Sequence, residues 1–187
     1  MAVNLHLFSS PGKDDDIRYV IEASRPHLEG KPDAMVAYLP LASLYVERWQ
    51  EFTAESFKGL ARIETINAEM MRLIQLEDII RRASLVYIPG GNTCLLNHRL
   101  HISNLMIFLR KKVQAGLPVV AFSAGTILCG PNILTSKAHR LVGAAALRDA
   151  GIIQLRRGDA PVAHPIGDNE PIGINLADGG DRRTHDA

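Results

Sequence analysis

Ser123 stands at the end of an apolar run, Leu117 to Phe122, and is followed by Ala124 and Gly125 in "LPVVAFSAGTILCGPNILTSKAHR". A buried strand that drives into a small-residue turn and then into a helix is the setting of a nucleophile elbow. The residues two before and two after such a serine must be small, because strand and helix pass close to one another there. Here they are Ala121 and Gly125. Amides at the start of the following helix favour a developing oxyanion. The same pattern fits a plain strand-to-helix turn with Ser123 as the helix N-cap. The local motif leaves both roles open.

A second glycine-bearing turn, "PGGNT" from Pro89 to Thr93, follows another apolar run, "LVYI". Two glycines let backbone N–H groups approach a ligand closely, as an oxyanion donor must. Asn92 or Thr93 is also suited to cap the helix that follows. Both turns close strands at their carboxyl ends, which is where ligands bind in open parallel sheets. They are expected to face one crevice, with Gly90, Asn92 and Thr93 as substrate-binding candidates.

In order, "VYIPGGNTCLL", an intervening helix, "GLPVVAFSAGT" and "GPNI" resemble the dipeptidase E and cyanophycinase family of serine peptidases. The resemblance runs from about Val3 to Ser136 and is strongest from Leu85 to Ser136. It implies a class I glutamine amidotransferase-like fold with Ser in place of the Cys nucleophile. It further implies Ser123 as nucleophile, backbone amides of Gly91 and Ala124 as the oxyanion hole, and short peptides as substrates, often with an acidic residue before the scissile bond. No cofactor and no metal are implied.

The chain departs from the family pattern beyond that point. Where the family carries Asn-Asp, the sequence reads Ser136-Lys137-Ala138. The nearest candidate for the family's catalytic histidine is His164 in "PVAHPIG", a few residues off the ungapped register and without the family's aromatic neighbour; His139 in "SKAHR" is the other candidate, with Asp159 and Asp168 as carboxylates that could orient the histidine. Cys94 takes a position where the family often has an aromatic residue and is expected to be a packing residue. Without a base a serine hydroxyl is a weak nucleophile, and general-base assistance is worth roughly 10²–10⁴-fold. Two alternatives to an active peptidase follow. One is an impaired relative that keeps the crevice as a small-molecule or partner-binding pocket. The other, a thiol enzyme, is set aside because the elbow residue is Ser and Cys129 lies beyond it. Arg99, in "LNHRLHISNL", reads as an exposed helical arginine, with a substrate-carboxylate contact as its functional alternative.

The elements that must hold these turns alternate in type. Strands are expected at Val3–Phe8, Ala34–Leu39, "RIETIN" (62–67), "LVYI" and "LPVVAF". Helices are expected at Asp16–Leu28, within 44–60 (apolar Leu44, Trp49, Phe52 and Phe57), within 75–84 (Leu76, Ile79 and Ile80 inward) and, as one or two helices, within 93–116, closed by Gly116. This alternation means βαβ units and a parallel sheet covered on both faces, an α/β three-layer sandwich with a flavodoxin-like core.

The 187 residues fit a single domain. A net charge of +1 and no basic stripe argue against a nucleic-acid partner. No apolar run reaches the ~20 residues of a membrane span, and the N-terminus carries no export-signal pattern. The cytoplasm is the expected compartment, and a homodimer is left open. From Lys137 to Ala187 there is no Phe, Trp or Tyr, although all ten aromatic residues precede it. The chain is therefore read as a family-like core, 1–136, and an atypical, partly irregular tail, 137–187, with a shifted reading frame, a divergent replacement or an unusual natural C-terminus as its origin.

Overall fold

The computed structural model describes residues 3–9, 16–44, 46–130 and 133. The tail, with His139, Asp159, His164 and Asp168, lies outside the described residues.

Five strands, β1 (Leu5–Phe8), β2 (Met35–Tyr38), β3 (Arg62–Thr65), β4 (Leu85–Ile88) and β5 (Val119–Phe122), form one sheet of order β1-β5-β4-β2-β3. Every pairing is parallel. Six helices accompany them: α1 (Asp16–Leu28), α2 (Val46–Ser56), α3 (Leu73–Arg82), α4 (Thr93–Ile102), α5 (Leu105–Gln114) and α6 (Ala124–Leu128). β2, β4 and β5 are buried along their whole length, as their unbroken apolar runs demand of strands covered on both faces.

Alternate strand residues feed two cores. Met35, Ala37, Val86, Ile88, Val119 and Ala121 pack with α3–α6 on one face. Val36, Tyr38, Leu85, Tyr87, Val120 and Phe122 pack with Val20 and Leu28 of α1 and with Phe57 on the other. This period of two is the pleat, and it makes the three layers expected of the sequence. Leu76, Ile79 and Ile80 of α3 are buried, as their spacing requires.

Three local readings are refined. The stretch 93–116 is two helices, because Asn104 takes a left-handed conformation (φ 56°) that a continuing helix does not allow. Gly116, at φ 100°, closes the second. The helix after β2 is shorter than its apolar spacing suggests. Phe57, just beyond its end, is fully buried, whereas Trp49 and Phe52 are each 49% exposed. No helix among the described residues is long and apolar enough to cross a membrane.

Candidate active site

The connection from β2 leads outward to β3, while that from β4 leads the other way to β5, so neighbouring strands β2 and β4 flank a topological switch point. The carboxyl ends of strands part there and leave a crevice. A cavity of about 340 Å³ occupies this place, walled by Tyr38, Tyr87 and Phe122 from three strands, Trp49 and Phe52 from α2, and the Pro89-Gly90-Gly91 turn.

Ser123 follows β5 at the edge of this crevice. Its backbone sits at φ 50°, ψ −106°, one of only two non-glycine residues with positive φ among those described. Such a conformation costs about 1–3 kcal/mol and persists only where its surroundings impose it. They do so through hydrogen bonds. The Ser123 N–H donates to Phe8 O at 2.9 Å, and Ser123 O accepts from the Ile127 N–H at 3.1 Å. The Thr126 hydroxyl donates to Phe8 O (2.7 Å), with Ala121 O also within reach at 3.0 Å. Thr126 thus ties β1, β5 and α6 together beneath the serine. Ser123 occupies the N-cap position of α6, but its side chain makes no capping bond.

Small residues are required at both turns by contact as well as by conformation. A methyl on Gly125 would meet the backbone oxygen of Ile88 and lie 2.9 Å from its Cγ2. This is why the position two after the serine is glycine. Gly91 is at φ 135°, and a methyl there would lie 2.5 Å from Ala42 O and 2.8 Å from Ala42 Cβ. The next residue, Asn92, donates its N–H to the same Ala42 carbonyl at 2.9 Å. The Asn92 side chain accepts from the Leu95 N–H at 3.0 Å and caps α4. Neither the Gly91 nor the Ala124 N–H has an acceptor among the described residues. Gly90 brings the two turns together, since a methyl on it would stand 3.1 Å from Ser123 Cβ. Thr93 is fully buried at the start of α4, with its hydroxyl unpaired among the described residues.

Arg99 corrects the reading of it as an exposed helical residue: it is 6% exposed. Its Nη1 donates to Leu41 O (3.0 Å) and Ser43 O (2.6 Å). Its Nε (2.8 Å) and Nη2 (2.6 Å) both reach Glu69 Oε1. This planar fork clamps the 41–43 loop, and hence Ala42, behind Gly91. The signal was present in the sequence. Arg99 lies three and four residues after Leu96 and Leu95, on the face of α4 that packs inward.

Gly90, Gly91 and Phe122 line the cavity, and Ser123 adjoins it through its contact with Gly90 and its place after Phe122. A match to the model of peptidase family S51 covers residues 7–150. The chain belongs to peptidase family S51. The Peptidase E of Pasteurella multocida is 31% identical over 101 residues, spanning 54% of this chain and 43% of that protein. The Peptidase E of Shewanella denitrificans is 29% identical over 141 residues, spanning 73% of this chain and 57% of that protein. The chain thus spans about half the length of the curated relatives it matches. The crystal structure of a protein assigned as a peptidase E from Listeria monocytogenes EGD-e superposes with a TM-score of 0.59 at 24% identity, over 72% of this chain and 65% of that one. A peptidase from an acI-B1 actinobacterium superposes at 0.56 with 16% identity, over 69% and 57%. Both agree with the α/β three-layer fold of this S51 chain.

The remaining candidates stand apart from the crevice. His6 and His27 pair with each other, Nε2 to Nε2 at 2.8 Å, between β1 and the end of α1. Burial, then the charges of His6 and Lys31, hold the His27 pKa below its ordinary value. No histidine lines the crevice among the described residues. Cys129 is buried at the end of α6, and burial pushes its thiol up to about 12. It is protonated at neutral pH and unsuited to nucleophilic attack. No group of three or more His, Cys, Asp or Glu able to hold a metal occurs among the described residues.

Proposed function

We propose that the chain is a serine peptidase that cleaves short peptides through an acyl-enzyme on Ser123. The observation that carries this reading is the Ser123 backbone, held at positive φ by bonds to β1 and α6 beside two N–H groups that have no acceptor among the described residues. Ser123 Oγ attacks the peptide carbonyl, and the Gly91 and Ala124 N–H groups receive the oxyanion. A histidine takes the serine proton and returns it to the leaving amine. His164 is our first assignment for that base and His139 the second. Gly90 and Asn92 set the wall against which the substrate backbone lies. An acidic residue before the scissile bond, which the family resemblance implies, is the finer expectation. The described crevice wall offers it no cation.

A second reading, a relative that keeps the crevice and has lost catalysis, is favoured by Lys137 standing where the family carries an acid. Hydrolysis of a panel of dipeptides by the full chain separates the two. Turnover abolished by Ser123→Ala, and reduced at least 100-fold by His164→Ala or His139→Ala, supports the peptidase and names its base. Turnover that persists in Ser123→Ala, or its absence from a folded chain, counts against it.

A further inference from the structure

β1 lies at the edge of the sheet and pairs with β5 alone among the described residues. A strand bonded on one side opens more readily than one bonded on both, so its side-chain anchors matter. Phe8 lies beside Tyr19 of α1, ring centroids 6.4 Å apart. His6, on the same face of β1, reaches the last turn of α1, where its Nε2 meets Nε2 of His27 at 2.8 Å. The ring centroids are 5.0 Å apart, so the two nitrogens point at one another. That is the geometry of a hydrogen bond and not of two ligands converging on a metal. Two residues along the strand, Phe8 O accepts from the Ser123 N–H (2.9 Å) and from the Thr126 hydroxyl (2.7 Å).

In the neutral pair one Nε2–H donates to the lone pair of the other ring. One added proton preserves the bond, because the charged ring donates and the neutral ring accepts. A second proton leaves two donors, no acceptor and two like charges at 2.8 Å. The surroundings oppose that second proton. His6 from β1 and Lys31 from the turn after α1 both act against a charge on His27, in addition to its burial. On α1 itself, Arg25 and Glu29 pair with each other at 3.9 Å. The folded chain therefore binds a proton at His27 less readily than the unfolded chain does. The associated stability is present above pH 6.5 and is lost as pH falls below it.

We propose that His6 and His27 are positioning residues for Ser123: their bond fixes β1 against α1, and with it the Phe8 carbonyl that holds the elbow, until both rings are protonated. Ser123 as a nucleophile rests on the peptidase reading above; the coupling of its backbone to the histidine pair rests on the bonds alone.

The test is amide hydrogen exchange of the full-length chain at pH 7.5 and pH 5.5, corrected for intrinsic exchange, with fluorophosphonate labelling of Ser123 at the same pH values. The Ser123 N–H is expected to lose protection at least tenfold at the lower pH. The Val86 N–H, which donates to Pro118 O away from β1, should keep its protection. His27→Gln offers His6 an amide partner that takes up no proton, and it should abolish the loss. His6→Gln should do the same from the other side and carries the test if the first variant does not fold. The labelling rate of the wild type relative to either variant should fall at least fivefold between the two pH values, a ratio from which a titrating general base cancels. Unchanged Ser123 protection in the wild type, the same loss in the glutamine variants, or a matching loss at Val86 would overturn the proposal. Loss of protection as expected, in a chain that is labelled at neither pH, would leave the positioning bond standing and remove the peptidase reading. Labelling with a constant ratio would do the reverse.

Discussion

Gly90 lies against Ser123, so closely that a methyl on its Cα would stand 3.1 Å from the serine Cβ and 3.6 Å from its Oγ. The turn after β4 is thus the wall against which Ser123 is set. Gly90→Ala keeps an accessible backbone conformation, and the strain falls on the serine, which must move by a few tenths of an ångström. Displacements of about 1 Å cost roughly 10²-fold in rate. Acylation of Ser123 is expected to slow about tenfold, with the urea midpoint nearly unchanged.

Gly91→Ala should behave differently. Its φ of 135° disfavours any side chain, and the new methyl would meet Ala42 O at 2.5 Å. Relief requires moving the 41–43 loop or the Asn92 to Ala42 hydrogen bond. A loss of about 2–4 kcal/mol is expected from strain and overpacking together, measured by equilibrium unfolding, along with loss of detectable acylation.

Arg99→Met removes the clamp and preserves most of the buried stem. The carbonyls of Leu41 and Ser43 then lose their donor. Each buried unsatisfied group costs about 1–3 kcal/mol. A destabilisation of about 2–4 kcal/mol is expected. Arg99→Lys should recover only part of it, because an ammonium cannot span the two carbonyls and Glu69 in one plane.

Cys129 provides a prediction about pH. Its thiol is raised from 9.0 to about 12 by burial, so the folded chain holds that proton more tightly than the unfolded chain does. The associated stability is fully present below pH 9 and is lost as pH rises toward 12. Three pKa units correspond to about 4 kcal/mol at full extent. The urea midpoint of the wild type should therefore fall more steeply over that range than that of Cys129→Ala. At pH 8, iodoacetamide should modify Cys94, which is half-buried, and spare Cys129 until the chain is unfolded.

The layers of the fold were legible because a parallel sheet covered on both faces writes itself as unbroken apolar strands. "LVYI" and "LPVVAF" are of this kind. The two turns were legible because few backbones other than an elbow need small residues on both sides of a serine. Arg99 was misread because charge was allowed to outweigh position. Trp49 and Phe52 were counted toward α2's apolar face because spacing cannot distinguish a ring buried in a core from a half-exposed one in the wall of a crevice. Thr126 escaped notice because its partners, Phe8 and Ala121, come from strands brought beside it only by the fold. His139 and His164 fall outside the described residues, and the choice between them belongs to experiment.

The central claim is that Ser123 is an activated nucleophile. Its most direct test is reaction of the purified full-length chain with a serine-directed fluorophosphonate, read by intact mass and peptide mapping. Stoichiometric addition at Ser123, absent from Ser123→Ala, is the predicted result. A folded chain that takes up no phosphonate, or takes it up at another serine, would contradict the account.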